Sequence, residues 1–194
     1  MTLEASLVTA GTASQILDVA ERLVQTRGYN AFSYADIAAE LEITKAALHY
    51  HFRSKAVLGD VVLERYTRRF FEALANIPSW DPAPARLARY VDLYRAVLRA
   101  DRLCLCGILA AEYQTLPTPM REAVLEFFDR NEAWLEEVLR DGIAAGSVRA
   151  NEPVHDSARL LISGLEGAMM LARARGDIDR FDRSAERMLA DLTA

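Results

Sequence analysis

The stretch SYADIAAELEITKAALHYHFRSKAVL, residues 33–58, decides the fold of this chain. Ser33, Thr44 and Ser54 are residue types that cap helix N-termini, and each precedes a run of helix-compatible residues. Apolar residues at helical spacing give each of the first two helices a buried face: Ile37, Ala38, Leu41, Leu48 and Phe52. The stretch therefore predicts two short helices joined by a tight turn, then a longer helix that ends near Ile77.

The second short helix has small and hydrogen-bonding side chains on the face opposite Leu48 and Phe52. The major groove of DNA is about 12 Å wide and admits one helix with little bulk beside it. In a helix-turn-helix the second helix lies in this groove, while the first crosses the backbone. The same pattern also suits a helical packing unit that binds nothing, and the residues alone leave both interpretations open.

We expect DNA contacts from nine residues of this stretch. Lys45 can donate to guanine, while Ala46 and Ala47 allow close approach to a thymine methyl group. The others are expected at phosphates, and the complete set is Ser33, Tyr34, Thr44, Lys45, Ala46, Ala47, His49, Tyr50 and Lys55. Because histidine changes its charge near neutral pH, the contact from His49 is expected to depend on pH.

The charge balance excludes unselective binding to nucleic acid, because such proteins are usually basic. The chain carries a formal net charge of -5. The first 68 residues hold seven Lys and Arg against eight Asp and Glu, a net charge of -1. Attraction to phosphate must therefore come from local placement, and Lys45, Arg53 and Lys55 form the one basic cluster near the motif.

The rest of the chain has the periodicity of helices, with few glycines and prolines and no alternating strand pattern. We predict a first helix over residues 12–28, with Thr12 as its cap and a short mobile arm before it. The predicted fold is all-α. An N-terminal arm and helix-turn-helix domain, residues 1–60, is joined by a long helix to a C-terminal helical domain, residues 61–194.

Several classes of protein do not fit the sequence. No apolar run approaches the roughly 20 residues of a membrane span, and no signal peptide is recognisable, so the cytoplasm is expected. His49 and His51 are two residues apart and diverge on a helix, whereas helical zinc motifs use a spacing of four. There is no nucleophile elbow and no phosphate loop. We therefore expect neither an enzyme nor a metal or other cofactor.

The chain resembles the TetR family of transcriptional repressors over its whole length. The motif that carries the resemblance reads Gly28, Ile37-Ala38, Ile43-Thr44, Lys45-Ala46, Leu48-His49, His51-Phe52, Lys55 and Leu58, without gaps. Three positions depart from the family's frequent residues. Glu42 stands at a turn glycine, Ala46 at a glycine, and His49 at a tyrosine that contacts phosphate. The resemblance implies a C-terminal domain that binds a small molecule and forms a dimer.

Small residues on one C-terminal helix independently suggest where two copies meet, because they let a partner helix approach closely. The predicted interface is Leu160, Ser163, Gly164, Gly167, Ala168 and Leu171, in a dimer built from the last two helices. The alternative is that these residues pack only within one chain. Two reading helices one DNA turn apart, roughly 34–36 Å, would require a near-palindromic operator.

Aromatic and aliphatic residues of the C-terminal helices are candidates for the wall of an effector pocket. They are Phe70, Tyr90, Tyr94, Leu105, Leu109, Tyr113, Phe127 and Trp134, although ordinary core packing is the favoured interpretation of each. Glu112 and Glu166 can orient a cationic or hydroxylated ligand, or be paired or solvated. Cys104 and Cys106 are either buried small hydrophobic residues or a sensor of oxidants and electrophiles.

These observations predict a homodimeric repressor that a small-molecule effector, of unknown identity, releases from double-stranded operator DNA. One alternative is a repressor that senses redox state or electrophiles through Cys104 and Cys106. Another is a helical binding module without affinity for DNA, which the acidic composition slightly favours.

Overall fold

The computed structural model describes residues 3–149 and 152–193, the first eight of these by their backbone alone. The described residues form nine α-helices and one 3-10 turn, without a β-strand: α1 Leu3–Arg27, α2 Tyr34–Glu40, α3 Lys45–His51, α4 Lys55–Ala75, α5 Ala83–Arg99, α6 Leu105–Ala111, the 3-10 turn Tyr113–Thr115, α7 Thr118–Ala144, α8 Val154–Arg175 and α9 Ile178–Leu192. The all-α prediction is confirmed. None of these described helices is long and apolar enough to cross a membrane.

The helix boundaries around the turn agree with the capping residues. The Thr44 hydroxyl oxygen accepts a hydrogen bond from the Ala47 amide at 3.1 Å, and the Ser54 hydroxyl accepts one from the Val57 amide at 3.2 Å. At α2 the Asp36 carboxylate accepts from both the amide and the hydroxyl of Ser33, at 2.7 Å each. These bonds satisfy amides that have no partner inside the helix.

The N-terminus of α1 differs from the prediction. The helix begins at Leu3, so Thr12 lies within it and does not cap it. Leu, Glu and Ala have high helix propensity and extend the helix upstream, where a capping signal at Thr12 suggested a start. The predicted arm is therefore helical from Leu3 onward, and its first two residues lie outside the described part of the chain.

The chain forms two compact units that are not consecutive in sequence. Unit 1 contains Met1–Arg68 and Leu105–Val124, and unit 2 contains Arg69–Cys104 and Leu125–Ala194. The α6 helix packs against α1 and so joins the N-terminal unit. The sequence pattern gave no sign of this, since an apolar helix does not specify which neighbour covers it.

Unit 1 is held by a core that α1 shares with the helix-turn-helix. Ile16, Ile37, Leu48 and Leu58 contribute one residue each from α1, α2, α3 and α4, and all are fully buried. Arg65 on α4 adds ion pairs to Asp18 at 2.8 Å and to Glu21 at 3.1 Å, both on α1. Each short helix is thus fixed by contacts with longer ones.

Unit 2 is organised around the antiparallel pair of α8 and α9, against which α5 packs. Gly176 ends α8 in the left-handed conformation with φ 65°, and the Asp177 carboxylate caps α9 by accepting from the Arg180 amide at 3.2 Å. Its core includes buried aromatic and aliphatic side chains from four helices: Leu87, Tyr90, Leu135, Leu165 and Phe181.

Glu112 binds the backbone that follows the C-terminal end of α1. Its carboxylate accepts from the Tyr29 amide at 2.6 Å and from the Asn30 amide at 3.3 Å. Gly28 has φ 96°, and a Cβ atom placed there would lie 2.7 Å from the Glu112 Oε1 atom. Glycine is therefore required at this position for two reasons: it adopts the positive φ without strain, and it leaves room for the Glu112 carboxylate.

Replacing Gly28 with alanine tests this contact. We expect Gly28→Ala to lower the free energy of unfolding by about 2–3 kcal/mol, because the methyl group displaces a carboxylate that holds two amides. Gly146→Ala is the matched control, because Gly146 has φ 70° but no atom within 4 Å of the added methyl group. It should cost about 1 kcal/mol from backbone strain alone. Urea unfolding measures both, and equal losses would contradict a stabilising role for Glu112.

Candidate functional site

The α3 helix presents the predicted reading face to solvent. Lys45, Ala46, His49 and Tyr50 are exposed, and Tyr50 is 75% exposed, whereas Leu48 on the opposite side is fully buried. The helix has seven residues, so its two turns bring these side chains together on a surface small enough for a groove. Ser33 and Thr44, at the starts of α2 and α3, are exposed as well.

Tyr34 holds the two helices of the motif together. Its hydroxyl donates to the Phe52 carbonyl at 2.8 Å, and its ring lies 4.9 Å from the His49 ring, centre to centre. Burial raises the pKa of Tyr34 to about 12, so the hydroxyl keeps its proton at neutral pH. With that hydrogen directed at Phe52, Tyr34 is placed to position α3 against α2.

His49 is oriented by its own backbone neighbourhood. Its Nδ1 atom lies 3.3 Å from the Arg53 carbonyl oxygen, which can only accept. The proton of a neutral ring is therefore favoured on Nδ1, which leaves Nε2 as an acceptor. Only the protonated ring can also donate from Nε2 to a phosphate. Among the described residues, no cluster of His, Cys, Asp and Glu that includes His49 or His51 is suited to a metal ion.

Lys55 is directed into unit 1. Its ammonium donates to the Phe32 carbonyl and lies 4.7 Å from the centre of the Tyr29 ring and 4.3 Å from that of Phe32. Desolvation lowers the pKa of Lys55, while the charges of Glu112 and Asp36 oppose that shift. A phosphate contact from Lys55 would have to compete with these internal partners.

The turn between α2 and α3 has Glu42 at the position where the family often has a glycine. Glu42 has φ 54°, the left-handed conformation that a glycine would adopt without strain. A residue with a Cβ atom costs roughly 1–2 kcal/mol there. The departure from the family pattern at this position therefore raises the energy of the turn relative to one with a glycine.

Five of the predicted pocket residues meet in unit 2. The rings of Phe70 and Phe127 lie 4.9 Å apart, and Tyr90 stacks on Trp134 at 5.6 Å with 18° between the planes. Phe70 also contacts Tyr94, with 6.5 Å between ring centres. The other three predicted members, Leu105, Leu109 and Tyr113, belong to α6 and the 3-10 turn of unit 1.

A buried polar cluster, formed by Tyr90, Tyr94, Asn131 and Glu166, lies beside these rings. The two tyrosine hydroxyls are 3.0 Å apart, and the Asn131 amide nitrogen is 3.5 Å from the Tyr94 hydroxyl. Burial raises the pKa of Glu166 to about 7, and a hydrogen bond from Cys104 lowers it in part. The Glu166 charge in turn helps to raise the pKa values of both tyrosines.

Asn131 was not predicted, although the sequence contains a signal for it. It lies in the apolar stripe of α7 with Phe127, Leu135 and Val138, and all four side chains are fully buried. A polar residue at a core position of a helix is unusual and suggests a specific partner.

The two cysteines are buried in different units. Cys104 is 3% exposed and closes a segment of unit 2, while Cys106 is fully buried in α6 of unit 1. No disulfide joins them. Direct access of an oxidant to either thiol is therefore restricted in this conformation.

The α8 and α9 helices leave an open groove of about 610 Å³ on the surface of unit 2. Its walls include Gly164, Ala168 and Leu171, three members of the predicted dimer interface. Leu160 and Leu171 on α8 are large apolar residues that are 73% and 54% exposed. Arginine side chains border the groove on the α9 side: Arg180, Arg183 and Arg187.

Comparison with known proteins identifies the family of this chain. Residues 16–60 match the family model described as bacterial regulatory proteins, tetR family, and residues 83–188 match the one described as tetracyclin repressor-like, C-terminal domain. The chain is 25% identical over 160 residues to the HTH-type transcriptional repressor DhaR of Mycobacterium sp. (strain GP1), covering 80% of each protein.

Two solved structures share both sequence and fold with this chain. A TetR-family transcriptional regulator from Agrobacterium tumefaciens is 30% identical, with a TM-score of 0.91 over 96% of this chain and 100% of that one. A TetR transcriptional regulator from Legionella pneumophila is 31% identical, with a TM-score of 0.82 over 92% and 95% of the two chains. With its helix-turn-helix and its C-terminal helices both matched, the chain belongs to the TetR family of DNA-binding transcriptional regulators, which are not enzymes.

Proposed function

We propose that this protein is a homodimeric cytoplasmic repressor that binds a near-palindromic operator and that a small-molecule effector releases from it. The observation that carries the proposal is the exposed face of α3, where Lys45, His49 and Tyr50 project from a helix braced by Tyr34. The face is narrow enough for the major groove, and a lysine at its start can donate to guanine.

Within this proposal the nine predicted contact residues divide into two groups. Thr44, Lys45, Ala46, Ala47, His49 and Tyr50 contact DNA. Ser33, Tyr34 and Lys55 hold the motif in place, because their polar hydrogens are directed at the Asp36 carboxylate and at the Phe52 and Phe32 carbonyls. We thus assign Lys55 a positioning role in place of the phosphate contact expected from sequence.

A dimer is proposed because one reading helix offers few contacts and the chain is acidic overall. The exposed leucines of α8 and the groove beside them support an interface there. Gly167, which has no atom within 4 Å of an added Cβ atom, permits close approach of a second helix, whereas Gly164 packs against Met188 of α9 in the same chain. The two helix-turn-helix motifs of a dimer, related by a two-fold axis, bind the two half-sites of a palindrome, roughly 34–36 Å apart.

Effector release requires a ligand that prefers the conformation unable to bind DNA, since equal affinity for both conformations changes nothing. The aromatic residues and the buried polar cluster of unit 2 support a site there. Cys104, which hydrogen-bonds to Glu166 of that cluster, directly precedes α6. Glu112 directly follows α6 and accepts a hydrogen bond from the Tyr29 amide just beyond the end of α1. Chain continuity thus offers a route from the site to the reading head.

The alternative of thiol sensing has less support, because both cysteines are buried. It stays a prediction that alkylation can test: if modifying both thiols leaves operator affinity and its response to oxidant unchanged, the alternative is excluded. The second alternative, a helical module without DNA affinity, predicts that the chain fails to shift any palindrome near its own gene, even at low salt.

Replacing Lys45 tests the reading face. We expect Lys45→Ala to weaken binding to the operator by about 1–3 kcal/mol and to relax the preference at one base position, because a bidentate donor to guanine is lost. Electrophoretic mobility shifts on the operator and on single-base variants measure both effects. Arg99→Ala, which removes one exposed charge from α5 of unit 2, is the matched control and should change affinity little. A uniform loss on every sequence would make Lys45 a phosphate contact instead.

Replacing Leu171 tests the proposed interface. We expect Leu171→Arg to yield a monomer in sedimentation experiments, because it places a charge beside Arg180, Arg183 and Arg187 of the groove. Operator affinity should then fall about 100-fold or more, since the two heads no longer bind as one unit. Leu125→Arg on α7, where the wild-type leucine is 51% exposed, is the control and should remain dimeric. A Leu171→Arg dimer of unchanged affinity would refute this interface.

A further inference from the structure

The buried polar cluster of unit 2 contains two oxygen atoms that accept no hydrogen bond. They are the Asn131 Oδ1 atom and the Glu166 Oε1 atom, both shielded from solvent. Asn131 is fully buried, and its amide nitrogen is directed towards the Tyr94 hydroxyl. Buried polar atoms in folded proteins nearly always have a partner, so two such atoms beside one tyrosine indicate a function.

The unpaired atoms specify the chemistry of a partner, because both are acceptors. A ligand that satisfies them must donate hydrogen bonds, and a positive charge on that ligand would also compensate the carboxylate. An anionic ligand would instead place a second negative charge in a region that already raises the pKa of Glu166 to about 7. Glu166 is partly exposed as a residue, whereas Tyr90, Tyr94 and Asn131 are buried, so Glu166 is the member of the cluster that solvent reaches.

The surroundings of the cluster suit the apolar part of such a ligand. Tyr90, one member of the cluster, stacks on Trp134 and also contacts Phe70, with 6.5 Å between the centres of the Tyr90 and Phe70 rings. Arg86, whose buried Nε atom has no hydrogen-bond partner, is paired through its Nη1 atom with Asp141 at 2.7 Å and lies 5.8 Å from the centre of the Trp134 ring. Its charge is therefore directed at Asp141.

We propose that the buried polar cluster binds the protonated amino group of an organic cation with an apolar body, with Glu166 and Asn131 as acceptors. This rests on the proposed function in taking unit 2 as the effector site, and it narrows the effector to a chemical class. Binding then moves Glu166 from a desolvated carboxyl group to one member of an ion pair. Charge-assisted hydrogen bonds of this kind are stronger than those between neutral groups.

Ordinary structural explanations make different predictions. A buried water can bridge the two acceptors, or a protonated Glu166 can donate to Asn131 without any ligand. Neither would discriminate between cations and anions. The titratable groups that face Glu166 are Tyr90 and Tyr94 of α5 together with Cys104, and none of them carries a positive charge. Preference for a cation must therefore come from Glu166 itself.

The fluorescence of Trp134 reports binding at the cluster without DNA. The chain has two tryptophans, and the other, Trp80, is 84% exposed, so Trp80→Phe leaves Trp134 as the single reporter. Three probes share a phenyl ring and differ in charge: phenethylamine, 2-phenylethanol and phenylacetate. At about pH 8 we expect saturable binding of the amine, about tenfold or more tighter than that of phenylacetate.

Glu166→Gln in the Trp80→Phe background removes the carboxylate charge and keeps the shape of the side chain. We expect it to weaken binding of the amine about tenfold or more and to leave that of 2-phenylethanol nearly unchanged. The amine stays protonated as the pH falls from 8 to below 6, whereas Glu166 becomes neutral near 7. Wild-type affinity for the amine should therefore decrease over this range, and the variant should not show the decrease. Glu186→Gln, on the exposed side of α9, is the control.

Three results would overturn the inference: no saturation by the amine, phenylacetate binding as tightly as the amine, or an unchanged amine affinity in Glu166→Gln. Circular dichroism establishes that each variant is folded before these affinities are compared. Because no DNA is present, failure here leaves the operator-binding proposal intact, and failure of operator binding leaves these affinities interpretable.

Discussion

The function of this protein depends on the order of α3, a helix too short to be stable alone. The α3 helix has seven residues, about two turns, and isolated helices shorter than about 12–15 residues are marginal in water. Its order is supplied by its neighbours. Leu48 is buried in the core of unit 1, Thr44 caps the first turn, and Tyr34 holds the carbonyl just beyond the last. These three contacts fix the geometry of the exposed side chains on α3.

The same constraint explains why cationic and phenolic groups of the motif turn inward. Lys55 donates to the Phe32 carbonyl, just before α2 begins, and Tyr34 donates to the Phe52 carbonyl, just after α3 ends. A backbone carbonyl outside a helix needs a donor, and a side chain that supplies one also fixes the loop. We infer that part of the basic cluster serves to rigidify the helix-turn-helix, which leaves Lys45 and Arg53 as its exposed cations.

The sequence predicted the elements whose signals are local. Caps at Thr44 and Ser54 and the pair Leu48 and Phe52 gave the boundaries of the motif, because a helix end is determined by residues within one turn of it. It did not predict that α1 begins at Leu3 or that α6 joins unit 1, since both depend on contacts with distant residues.

The candidate sites show the same limit. The aromatic residues of unit 2 were recognisable by type, but a sequence cannot say which of them meet, and Leu105, Leu109 and Tyr113 proved to belong to unit 1. Lys55 had the residue type of a phosphate ligand, and only its surroundings reveal an inward direction. Asn131 was visible as a polar residue in an apolar stripe, yet its neighbours Tyr94 and Tyr90 lie more than 30 residues away in sequence.

A reading head with few contacts has a consequence for control. If each head of the proposed dimer binds DNA weakly, most of the affinity comes from engaging two half-sites at once, which can multiply affinity by about 10²–10⁴. That gain is lost when the geometry no longer matches the operator, even though each head stays intact. An effector therefore need not unfold or cover α3. It needs only to bind more tightly to a conformation with the wrong spacing, and a preference of about 10⁴-fold, some 5.5 kcal/mol, switches such an equilibrium completely. A charged group paired with a buried carboxylate is one of the few single contacts able to supply a large part of that difference.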